Sequence, residues 1–148
     1  MTRLDLEDGK LLRKLIALYQ EDQSNINYTS VLICLRDSNT WVCGNAELAG
    51  DNPADGNIES LGGYTFTPEI LQSEDGYLFF PIFSSLDEIS QDYRDMYSVI
   101  EKPFVEVLDS AKQNDAIFAV VVDPFTKPFV ITSEMFDFVL SLDSNIED

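Results

Sequence analysis

Two adjacent carboxylate pairs (Glu74-Asp75 and Asp87-Glu88), two adjacent serines (Ser84-Ser85) and two cysteines (Cys34, Cys43) are the groups in this sequence best suited to chemistry. Paired carboxylates can share general-acid and general-base work when their surroundings push their pKa values apart. Each pair here has a structural use already: Glu74-Asp75 belongs to a turn ending in Gly76, and Asp87-Glu88 to a helix start. A serine nucleophile needs a base beside it, and the chain has no histidine anywhere and no lysine near Ser84 or Ser85. Cys34 and Cys43 stand in apolar stretches, which raise a thiol pKa instead of lowering it. The missing histidines also remove the commonest metal ligand. Asp51-Asn52-Pro53-Ala54-Asp55-Gly56 is superficially like a calcium loop, yet Pro53 takes its third ligand position and Gly62 the twelfth, where a bidentate glutamate belongs. Gly62-Gly63 does not stand between a strand and a helix as a phosphate cradle would. The expectation is a non-catalytic protein with no catalytic residues, no cofactor and no metal.

Charge narrows the partners. Nine basic residues against 27 acidic ones leave a net charge of −18. The first twenty residues carry +1, so the remaining 128 carry −19. Such a field repels phosphate backbones and anionic lipid, and attracts basic proteins, although it also serves plain solubility. No apolar run is long enough for a membrane span, and the start lacks a signal pattern. With two cysteines and no secretory signal, reduced thiols in a cytoplasm are expected. A protein partner, basic in character, is therefore expected, and neither nucleic acid nor membrane.

The elements that must position these residues read as follows. Residues 1–22 contain an amphipathic helix over 5–21, with Leu11, Leu12, Leu15, Ile16, Leu18 and Tyr19 on an arc of about 160°. Lys10, Arg13 and Lys14 lie opposite, in water, while the apolar face packs on a sheet. Val31–Leu35 and Trp41–Cys43 read as strands of a hairpin about Asp37-Ser38-Asn39, with Cys34 and Cys43 on facing strands. Residues 44–63 read as a long surface loop. Phe66–Gln72 and Tyr77–Phe83 read as a second hairpin about Asp75-Gly76, with Pro68 placing its first strand at an edge. Ser85 and Glu88 form a capping box for a helix bearing Leu86, Ile89, Tyr93 and Met96. Pro103 opens another, with Phe104, Val107, Leu108 and Ala111 as its buried stripe and Asn114 as its cap. Ile117–Val122 is a β-branched apolar run suited to the centre of a sheet. Asp123–Pro128 stops it, Phe129–Thr132 restarts as a short strand, and Ser133 caps a last helix. Helices and strands do not alternate regularly. The fold class is α+β: one domain over 1–148, with a mixed or antiparallel sheet of about five to six strands and about four flanking helices.

These motifs carry a resemblance. Phe83-Ser84-Ser85-Leu86-Asp87-Glu88-Ile89, following the strand Tyr77–Phe83, is similar to the Phe-Thr-Ser and acidic helix start of the SseB N-terminal domain family. Val120–Phe125 followed by Phe129–Thr132 resembles that family's apolar strand, Asn-Pro turn and short strand before the last helix. The similarity runs from Val31 to Leu142, with Ser84 in place of threonine and Asp123 in place of asparagine. It implies the fold and a bacterial source, and no activity beyond a loose link to secretion systems.

The functional expectation is an acidic protein-interaction module, an adaptor in a secretion or stress system. An immunity-type protein neutralising a basic toxin and a small-molecule sensor, for example of an amino acid, are the alternatives. The candidate surface comprises Asp87, Glu88, Asp92, Asp95, Asp123 and Phe125. Phe125, held between Pro124 and Pro128, either anchors a partner or folds back over the end of the core.

Overall fold

The computed structural model describes residues 6, 8–48, 59–61 and 64–145. It contains five α-helices and eight strands, an α+β arrangement. One four-stranded sheet has the order β2-β3-β1-β6, formed by Asn39–Leu48 (β1), Glu59–Leu61 (β2), Tyr64–Pro68 (β3) and Ser98–Pro103 (β6). The other has the order β4-β5-β7-β8, formed by Leu71–Gln72 (β4), Leu78–Ile82 (β5), Ile117–Val122 (β7) and Phe129–Thr132 (β8). Only β5 and β7 run parallel; every other pairing is antiparallel. The sheets meet at one antiparallel bridge, where Trp41 and Phe83 exchange two backbone hydrogen bonds of 2.9 Å. The expected single sheet is thus two joined ones, with more strands than expected.

The β-branched run behaves as its composition demands. β7 lies between β5 and β8, and its Val120 and Val122 face the core with Phe80, Ile82, Phe129 and Ile131 of the neighbouring strands. Leu12 and Ile16 of α1 (Lys10–Glu21) join that core, as do Val31, Leu32 and Leu35 of α2 (Asn25–Asp37). Phe104, Val107, Leu108 and Ala111 of α4 (Phe104–Lys112) and Phe136 and Val139 of α5 (Phe136–Leu140) complete it. Pro103 does stand at the head of α4 with the expected stripe buried, and Gln113 is the cap. Asn114, one residue beyond, accepts from the Ala116 N–H instead. The last helix is preceded by a 3₁₀ turn over Ser133–Met135 rather than capped by Ser133.

Further expectations are corrected. Val31–Leu35 is helix, not strand: Ser24 caps α2 by accepting from the Asn27 N–H at 3.2 Å, and Val31, Leu32, Cys34 and Leu35 make one helical stripe. A short apolar run has no periodicity to separate the two states, and packing against α1 and α4 decides it. Cys34 and Cys43 therefore lie on a helix and a strand, both as free thiols. The second hairpin is short. Its Asp75-Gly76 turn forms, with Gly76 at φ 89°, but of the expected first strand the two-residue β4 alone pairs with β5, while β3 joins β1 in the other sheet. Pro68 is consequently not on an edge strand; it pairs with Gly44 beyond the reach of β2, where its missing N–H has no ladder to break. The segment 44–63 is not all loop, since β1 continues to Leu48 and β2 follows. The calcium-like stretch from Asp51 falls largely outside the described residues, as does Gly62-Gly63. Lastly, the Ser85 side chain makes no capping hydrogen bond: Leu86–Glu88 is a 3₁₀ turn, and the short α3 (Gln91–Met96) is capped by Ser90, which accepts from the Tyr93 N–H at 3.3 Å.

Candidate interaction site

The candidate residues cluster where the parallel strands β5 and β7 end. Asp123, the residue after β7, has φ 50°. That left-handed conformation turns its side chain back along the sheet, and Asp tolerates it better than most residues. Oδ1 accepts from the Ser84 N–H and Oδ2 from the Ser84 hydroxyl, both at 2.8 Å. The Asp123 N–H continues the parallel ladder to the Ile82 carbonyl at 2.8 Å. Burial pushes the Asp123 carboxyl above its ordinary range, against the lowering effect of the two Ser84 hydrogen bonds. With 3% exposure Asp123 is a structural link, and it is removed from the expected contact surface.

Helix α1 begins on this junction. Gly9 is its N-cap at φ 67°, and any Cβ there would run into the Ser84 carbonyl oxygen. One turn on, Arg13 donates through Nη1 to the Asp8 carbonyl and, at 3.3 Å, to Ser84 Oγ. Its Nε is 3.9 Å from Glu88 Oε1. Arg13 is thus half-buried and engaged, not on a basic face in water as the helical wheel suggests. Glu88 is also held by the turn after β7, accepting from Thr126 Oγ1 at 2.9 Å. The turn and the acidic segment are therefore joined side chain to side chain.

Phe125 shares features of both expected positions. The residue is 58% exposed, yet its ring rests 6.2 Å from Phe83 and 5.4 Å, edge to face, from Tyr93. Tyr93 lies tilted against Tyr97, ring centroids 4.8 Å apart, and the group caps a small second core of Cys43, Phe83 and Ile89. Burial raises the Tyr93 phenol far above its ordinary value, with Glu69 adding to the effect, so it stays protonated. On the segment that carries Tyr93, Asp87, Asp92 and Asp95 are exposed, and Asp95 accepts from Gln91 Nε2 at 2.8 Å. Met96 is 69% exposed on the same short helix. All six expected surface residues fall on the two segments that the Thr126–Glu88 hydrogen bond ties together, and Asp123 alone among them is buried. Arg13 and Thr126 escaped sequence reasoning: Thr126 has no pattern to mark it, and Arg13 looks like any cation on a polar helical face.

No helix among the described residues is long and apolar enough to cross a membrane. No curated protein and no solved structure matches the chain. The sequence profile of the SseB protein N-terminal domain matches residues 12–136, most of the chain, and includes both β7 with its turn and the Ser84 segment. The chain belongs to the SseB N-terminal domain family.

Proposed function

We propose that this domain is a non-catalytic protein-interaction module that takes a basic partner on the surface formed by Phe125 and the acidic segment Asp87–Asp95. The observation that carries this reading is the placement of Phe125. A large aromatic, more than half exposed, is held by neighbouring rings on a turn flanked by Pro124 and Pro128. An anchor ordered before binding loses little entropy when a partner covers it. Asp87, Asp92 and Asp95, on the segment whose Tyr93 it rests against, supply a negative field that speeds encounter with a cationic surface. An adaptor of a secretion or stress system and an immunity-type protein set against a basic toxin would use this surface alike, and the identity of the captured protein separates them.

The test is capture from the native lysate by the parent chain, Phe125→Ala and the double variant Asp92→Lys/Asp95→Lys. Phe125→Ala should fold with a stability loss of about 1 kcal/mol, since the residue is already more than half exposed. It should lose a partner that the parent retains. The lysine variant should associate with that partner more slowly and with a weaker dependence on salt. A folded Phe125→Ala protein that keeps every partner refutes the assignment.

A further inference from the structure

A cavity of about 410 Å³ opens at the carboxyl ends of β5 and β7, lined by Arg13, Ile16, Glu88, Asp123, Thr126 and Lys127. This is within the size range of small-molecule sites, about 300–1,000 Å³. The crevice outside the carboxyl ends of parallel strands is also where open α/β sheets bind ligands. Phe125, Asp92 and Asp95 are not among its lining residues, so the cavity adjoins the partner surface proposed above and shares Glu88 with it.

The chemistry of the lining is specific. Asp123 already holds one Ser84 hydrogen bond on each oxygen, so it shapes the wall. Arg13 uses Nη1 for Asp8 and Ser84, and its Nη2 makes no hydrogen bond among the described residues. Lys127 is exposed and forms no ion pair among the described residues. Two cationic donors are thus left for an anionic group. Across from them, Glu88 accepts from Thr126 through Oε2, while its Oε1 stands 3.9 Å from Arg13 Nε, beyond hydrogen-bond length, and can take a cation. Ile16 supplies an apolar wall. The four charged side chains sum to zero, which matches a ligand carrying one charge of each sign. The chain's net charge of −18 works against a free anion, whereas a zwitterion brings no net charge into that field.

We propose that this cavity binds a small zwitterion of the α-amino-acid type, its carboxylate on Arg13 and Lys127 and its ammonium on Glu88. The test is thermal melting of the full chain with each of the twenty proteinogenic amino acids, and with acetate and methylammonium as single-charge controls. At least one amino acid should raise the melting temperature by about 4 °C at tenfold excess over its Kd, and neither control should. Lys127→Gln and Glu88→Gln, both at least partly exposed, should fold like the parent and each weaken that binding about tenfold, measured by calorimetry. Phe125→Ala should bind the amino acid unchanged, whatever it does to a protein partner. No shift with any amino acid, an equal shift with acetate, or full affinity in both charge variants would overturn the proposal.

Discussion

Asp123 and Ser84, 39 residues apart in sequence, are joined by two hydrogen bonds of 2.8 Å that clamp the ends of β7 and β5 together. The clamp uses a buried carboxylate, and burial sets the sign of its pH dependence. Its folded-state pKa is raised above the ordinary 3.8, so the folded chain holds the proton more tightly than the unfolded chain does. The stabilisation from that proton is fully present below about pH 4 and is lost as pH rises through the folded pKa.

Asp123→Asn keeps an acceptor for the Ser84 N–H and offers an amide donor to the Ser84 hydroxyl, without the buried charge. The variant should be at least as stable as the parent at neutral pH. Its advantage should shrink as pH falls toward the ordinary carboxyl range. Melting temperatures of both proteins across that range give the difference curve, and a flat difference would contradict the burial argument.

Gly9→Ala should cost about 2 kcal/mol or more. Alanine is strained at φ 67°, and its methyl group meets the Ser84 carbonyl oxygen, a backbone atom that cannot rotate away. Gly9→Asn should recover little of this, because asparagine relieves the conformational strain and not the contact. Denaturant midpoints of the three proteins decide the matter. An asparagine variant as stable as the parent would show that the close approach to Ser84 is unimportant.

Both thiols should be silent in the folded chain. Burial, helped by nearby Glu69, pushes Cys43 up to about 11, and burial raises Cys34 against the lowering effect of its Ser38 contact. A disulfide reagent at about pH 8 should label neither cysteine without denaturant and both with it. Prompt reaction of one equivalent in native buffer would mean that one of the two sites opens readily.

Local signals carried the parts of the fold that short-range physics governs. The β-branched run of β7, the Asp75-Gly76 turn, Pro103 at the head of α4 with its stripe of Phe104, Val107, Leu108 and Ala111, and the β8 restart after Pro128 all lie where composition and spacing put them. Phe125 was legible as a proline-flanked aromatic, and the acidic residues near it as a charge cluster. Tertiary structure decided what depends on distant partners. Val31–Leu35 is a helix because α1 and α4 cover its stripe, and β3 left its expected hairpin because β1 offered a longer ladder. β6 passed unnoticed because Ser98–Pro103 is short and mixes apolar with charged residues; its pairing with β1 makes it a strand. Asp123 reads on the page as one more acidic turn residue. Its left-handed backbone and the arrival of Ser84 from the neighbouring strand take its carboxylate out of water, an outcome that no window of adjacent residues contains.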